Sequence, residues 1–194
     1  MPMETLHDLY VNELKDLYNA ENQLLKALPR MAKKASAPEL RAAFEEHLEV
    51  TRKQIERLDE VFTELGVSPK GKKCKAMEGL IEEGKEVLEE VGDPAVIDAA
   101  LIACAQRVEH YEMAGYGCVR SFATLLGFED AAALLQETLD EEGEADKKLT
   151  ELAESVINID AEAADGEDGE EDEEEVPVVA AKRTSTKTPA KGKR

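Results

Sequence analysis

Tryptophan is absent from the chain, and aromatic residues make up only 4% of it. An aromatic-rich β-sandwich core is thereby disfavoured. Leu, Ala, Val and Ile must fill the interior instead, a composition that favours helices. Cysteine is also scarce. Cys74, Cys104 and Cys118 are an odd set without Cys-x-x-Cys spacing, which indicates neither a disulfide framework nor a zinc knuckle. All three read as reduced thiols, with Cys104 and Cys118 as small buried residues of one helix. No apolar run approaches the roughly 20 residues that span a bilayer. The opening Met1-Pro2-Met3-Glu4 lacks the basic flank and apolar stretch of a secretory signal, so a cytoplasmic protein without membrane contact is expected. Positive charge is short too. A formal net charge of −20 has the wrong sign for holding a phosphate backbone.

What the chain does contain is helical periodicity over most of its 194 residues, a length that suits one compact domain with an extension. Leu6, Leu9, Leu14, Leu17, Leu24, Leu28 and Met31 recur at three- and four-residue steps and predict a first helix over 5–34, with an irregularity at Pro29. Ser36-Ala37-Pro38-Glu39 has the form of a capping box for a second helix, which should end at Gly66. A loop and a shorter helix over 76–91 then read as a long crossover between two helix pairs. Asp93-Pro94 opens a third long helix that should close at Gly127, and a fourth is predicted over 129–157. The expected fold is all-α, an antiparallel four-helix bundle over 1–159. From Asp160 the composition turns acidic and then basic. Such a segment buries too little apolar area to offset its ordering entropy, so 160–194 is read as a disordered tail. Its basic end is the one place where a nucleic acid or an acidic surface could be met.

The apolar stripes are broken at particular places. Glu21 stands between Leu17 and Leu24, one turn from each, and His47 stands between Phe44 and Thr51. In Glu109-His110-Tyr111-Glu112 the two glutamates are one turn apart, with Glu112 near the inner stripe and Glu109 drifting off it. Glu142 takes a position where leucine would otherwise stand, and Asp146 follows one turn later. An ionised carboxylate buried without a partner is very costly, so these groups need a cation, a proton or hydrogen bonds. Four helices that each turn an acid or imidazole inward form the ligand arrangement of di-iron and di-manganese carboxylate bundles. Oxygen and imidazole donors without thiolate suit Fe or Mn, and Zn less specifically. The expected ligands are therefore Glu21, His47, Glu109, Glu112, Glu142 and Asp146. The competing reading is a metal-free bundle that acts through its surface or its charged tail, with the inward acids protonated or ion-paired.

Asp16–Glu21 with Leu28-Pro29, His47–Gln54, Cys74–Leu80, Val108–Glu112 and Thr138–Glu142 together resemble the YciF/YciE-type ferritin-like proteins (DUF892). The resemblance runs over about 4–158 and leaves out the tail. It implies a ferritin-like bundle, a cytoplasmic and stress-associated role, a homodimer, and an iron or manganese site to which Glu21, Glu109, Glu112 and Glu142 correspond. Val50 departs from the family, which often has an acid there. The inner stripes also carry no Glu-x-x-His pair of the kind found in classical ferritins.

Overall fold

The computed structural model describes residues 3–167, which are helical apart from short connections. Helix α1 (Leu6–Lys34) starts on Thr5, whose hydroxyl accepts from the Asp8 N–H while the Asp8 carboxylate accepts from the Thr5 N–H. This reciprocal pair satisfies two otherwise orphaned donors. The helix passes Pro29 without a break. Pro29 lies on the exposed side, where water can replace the missing donor.

Helix α2 (Pro38–Leu65) does not use the Ser36 cap that its sequence suggests: Ala37 occupies the N-cap position and makes no side-chain cap bond. The N–H groups of Ser36 and Ala37 donate instead to the carboxylate of Asp98, at 2.9 and 2.7 Å. Asp98 is buried and belongs to α4 (Pro94–Leu126). An ionised acceptor makes the stronger, charge-assisted bond, so the distant carboxylate displaces the local hydroxyl.

Helix α3 (Lys75–Glu89) is the predicted crossover, and α4 opens on Asp93 with Pro94 in its first turn. Helices α2 and α4 both close on glycine in the left-handed region, Gly66 at φ 64° and Gly127 at φ 82°, a conformation that side chains with a Cβ resist. Helix α5 (Glu129–Leu152) runs into one π-helical turn, Ala153–Ile157, and on into α6 (Asn158–Glu167). Ordered helix therefore extends past Asp160. It packs on α4, with Ala161 and Ala164 half-buried after buried Ile157. The acidic and basic remainder expected as a tail, 168–194, lies outside the described residues.

The long helices form a ring in which α1 packs on α2 and α4, and α5 packs on α2 and α4. Contacts between side chains fix their directions. Glu46 meets Lys148 and Arg57 meets Glu137, so α2 and α5 are antiparallel. Asp16 meets Tyr111 and Ser36 meets Asp98, which makes α1 and α4 antiparallel as well. The α1–α2 and α4–α5 pairs are hairpins with short connections. Helix α3 lies beside α1 and runs parallel to it. At its start the Cys74 N–H donates to Asn19 and the Gln23 amide donates to the Cys74 carbonyl; at its end Lys34 Nζ donates to the Glu90 carbonyl. The crossover thereby carries the chain from one end of the bundle to the other, as a ferritin-like four-helix bundle requires.

The interior is two apolar cores with a polar layer between them. One core gathers Leu24, Leu28, Met31, Leu40, Phe44, Leu101 and Leu149, and the other Tyr10, Leu14, Leu17, Leu58, Phe62, Val119 and Leu135. Cys104 is buried in the bundle as its stripe suggests, whereas Cys118 is exposed. That corrects the expectation for Cys118: one step from buried Val119 turns its side chain by about 100° out of the ring.

Because Asp98 serves two backbone donors at once, Asp98→Ala is expected to lower unfolding stability by about 2 kcal/mol, the scale of a lost hydrogen bond to a charged group. Urea denaturation should show the midpoint fall with an unchanged slope. An unchanged midpoint would mean that water serves the two N–H groups equally well.

Candidate metal centre

The polar layer consists of Glu21, His47, Thr51, Gln54, Glu109, Glu112, Thr138 and Glu142, all buried. Each sits near the middle of its helix, on the side that faces the ring; for Glu21, His47, Glu112 and Glu142 this is the position the interrupted stripe gives. At this level α1 and α4 come close. A Cβ on Gly115 would stand 2.7 Å from Leu17 Cδ2, so a larger residue there would have to displace the Leu17 side chain.

His47, Glu109, Glu112 and Glu142 each offer one donor atom to a group in which all four atoms lie within 4.8 Å of one another. His47 Nε2 is 3.4 Å from Glu109 Oε1 and 3.9 Å from Glu142 Oε2. Glu21 stands just outside this group and within the same layer. Its Oε1 accepts from the Tyr116 hydroxyl, and its charge acts on Glu109 and Glu112. Asp146, the remaining expected ligand, does not join them. It faces His110 at 3.3 Å and accepts from Gln106 at 3.2 Å, because four residues of helix overshoot a full turn by about 40°.

The layer is short of positive charge. The cation that acts on Glu21 is Arg57, and Arg57 is already bound to Glu141 and Glu137, each at 2.7 Å. Burial pushes the carboxyls of Glu21, Glu112 and Glu142 well up. The neighbouring carboxylates add to the rise, with Tyr116 opposing it at Glu21. Glu109 is pushed up to about 8, again first by burial. His47 is pushed down to about 4 by burial, with Glu141 and Glu46 opposing. Without metal, these shifts favour the protonated acids and the neutral imidazole. As ionised carboxylates, Glu21 Oε2, Glu109 Oε2 and both oxygens of Glu112 and Glu142 are buried without a hydrogen-bond donor, and His47 Nε2 is buried without a partner as well; a proton lets Glu109 and Glu142 share a hydrogen bond.

Sequence reasoning passed over Tyr116, Gln54 and Arg57. Tyr116 carries a usable signal: it follows Glu112 by one turn and so shares its face of α4. Arg57 carried none, since its partners Glu137 and Glu141 come from a helix far along the chain. Tyr111 is likewise tied outside the layer, to Asp16 and to Cys74 Sγ, where it holds the start of α3 against α1 and α4.

A pH dependence follows for chelator-treated protein. An unfolded glutamate gives up its proton near 4.5, whereas folded Glu109 keeps it to about 8. Over that window the folded state binds the extra proton, so stability falls as pH rises. His47 acts in the opposite sense between about 4 and 6.5, where the unfolded chain binds the extra proton and stability rises with pH. Above 6.5 only the carboxylate contribution remains. The melting temperature should therefore be lower at pH 8 than at pH 6.5, and less so in Glu142→Ala. Equal melting temperatures would show that the layer is already ionised at pH 6.5.

Among the described residues no helix is long and apolar enough to cross a membrane. Residues 5–162 match the family described as a domain of unknown function, DUF892. The chain is 50% identical over 163 residues to protein YciF of Escherichia coli K12, spanning 84% of this chain and 98% of that protein. The crystal structure of the E. coli stress protein YciF superposes with a TM-score of 0.78, over 80% of this chain and 99% of that one. YcfI of Rhodopseudomonas palustris, described as a candidate structural protein, superposes with a TM-score of 0.74 at 46% identity, over 76% and 94% of the two chains. A Xanthomonas campestris protein at 21% identity shares the fold, with a TM-score of 0.66 over 82% and 98%. A helical bundle with this polar layer, matched in sequence along nearly all of its described length, places the chain in the DUF892 family beside E. coli YciF.

Proposed function

We propose that the chain is a non-haem metal protein that takes two divalent cations, iron or manganese, into its polar layer. The observation that carries this reading is the set of buried, unpartnered donor atoms on Glu21, His47, Glu109, Glu112 and Glu142. Once ionised, these oxygens find no donor within the layer, and a layer meant to stay empty would replace most of them with carbon. Charge supports the same number of ions. Four ionised glutamates around a neutral histidine are balanced by two divalent cations. The donors are oxygen and imidazole without thiolate, a set that suits Fe and Mn.

Glu109, Glu112, Glu142 and His47 would hold the ions, with Glu21 completing the set from α1. The Tyr116 hydroxyl donates to the Glu21 oxygen it faces, which orients that carboxylate, and the apolar cores shield the layer from bulk water above and below. Bound iron or manganese would supply single-electron exchange with oxygen or peroxide. The description of E. coli YciF as a stress protein supports a stress-associated role in metal handling. The free state of all three cysteines supports a cytoplasmic location, and the family resemblance supports a homodimer.

Metal analysis of protein purified without chelators, joined to an anaerobic Fe(II) titration, tests the reading directly. Two ions per chain are expected. No uptake, with a melting temperature indifferent to Fe(II) and Mn(II), would leave a metal-free bundle that acts through its surface. Glu142→Ala is expected to lower the stoichiometry while leaving the metal-free protein as stable as before, or more so, because alanine is a strong helix former and brings no buried carboxyl. A loss of several kcal/mol in the metal-free variant would instead make Glu142 a structural partner within the layer.

A further inference from the structure

A cavity of about 420 Å³ opens between α2 and α5 beside the polar layer. His47 and Glu109 line its inner end. Both are more than nine-tenths buried, and His47 Nε2 and Glu109 Oε2 have no hydrogen-bond partner. The walls are carbon, from Ala43, Phe44, Val50, Ala145 and Leu149. The rim is acidic, with Glu46, Glu137, Asp140, Glu141 and Glu144.

Neither the size nor the walls fit a passage for ions alone. The volume falls within the roughly 300–1,000 Å³ of small-molecule sites, whereas a water takes up only about 30 Å³. Carbon walls offer nothing to a hydrated cation, which would lose hydration along them. The rim adds a sign. Lys148 pairs with Glu46, Arg57 with Glu137 and Glu141, and Lys147 with Glu144. Three cations thus stand against five carboxylates, and Asp140 makes no ion pair among the described residues.

We propose that this cavity binds a small molecule with an apolar body and a protonated amine, the amine held at the acidic rim and the body lying against Phe44, Val50 and Ala145 over His47 and Glu109. The proposal deepens the metal reading, since a molecule seated there would lie beside the metal ligands. Seating itself needs only the cavity.

Octylamine is the probe, titrated by calorimetry into the full chain after chelator treatment and again after Fe(II) loading. Octan-1-ol and octanoate present the same body with no charge and with the opposite charge. Octylamine should saturate one site per chain and bind up to about fivefold more tightly than octan-1-ol, fivefold being the upper end for an exposed ion pair. The difference should shrink as salt is added, and octanoate should bind weakest. Val50→Trp should abolish octylamine binding by filling the cavity while leaving Fe(II) uptake unchanged. Should it fold poorly, Ala145→Leu provides a milder filling with the same expected direction. Asp140→Asn should bring octylamine towards octan-1-ol. Equal binding of the three probes, or undiminished octylamine binding by a folded cavity-filled variant, overturns the proposal. Altered sedimentation of Val50→Trp with probe binding retained would assign this face to a second copy and overturn it too. Octylamine binding by protein that takes up no iron would sustain the cavity and remove the metal reading. Iron uptake without octylamine binding would do the reverse.

Discussion

The rest of the structure turns on the burial of four glutamates from three helices around one imidazole. Taken out of water, carboxylates repel one another over short distances and lose their hydration. A bundle can hold them only with protons or cations. The two apolar cores allow this arrangement: Leu24, Leu28 and Phe44 on one side and Leu14, Leu17 and Leu58 on the other supply the burial that keeps the helices together while the layer between them opposes it. Stability is confined to the ends of the bundle, and the chemistry to its middle.

The connections follow from the same constraint. Inward groups from α1, α2, α4 and α5 must meet at one depth, so every helix has to present its midpoint to the others. Two hairpins joined by a crossover that spans the bundle achieve this. Cys74 at one end of α3 and Glu90 just beyond the other are tied back to α1, and this fixes the register of the second hairpin on the first. The Asp98 carboxylate performs a similar service at the α1–α2 turn. Each tie is made by polar groups at the edge of an apolar core, where a hydrogen bond sets position more than it adds stability.

Most of the helix architecture was legible in the sequence because it is local: three- and four-residue periodicity, Asp93-Pro94 as a start, and Gly66 and Gly127 as ends. Glu21 and Glu142 were legible for the same reason, each standing alone among leucines. Glu109 was harder. It drifts from the stripe of α4, yet that helix packs against both α1 and α5, so a wider arc of its surface is buried. The same breadth misled at Cys118, where a helix rich in apolar residues on several faces gave no sharp edge between inside and outside. Asp98 as the cap of α2 could not be read at all, since the bond joins residues that only the tertiary fold brings together. The end of the bundle was blurred by composition, because Asp160–Glu167 looks like solvent-facing chain until α4 provides a surface for Ala161 and Ala164.

The depth of the layer has an electrostatic consequence. Helix ends carry partial charges that can stabilise an ion, but the effect fades within the first or last turn. Glu21, His47, Glu109, Glu112 and Glu142 all lie several turns from any terminus, and neighbouring helices around the ring run antiparallel, so their dipoles oppose one another across the middle. The backbone therefore offers these carboxylates no field to lean on. Their charge has to be met by particles that arrive from outside the chain, and the occupancy of the layer reports what the surrounding solution can supply.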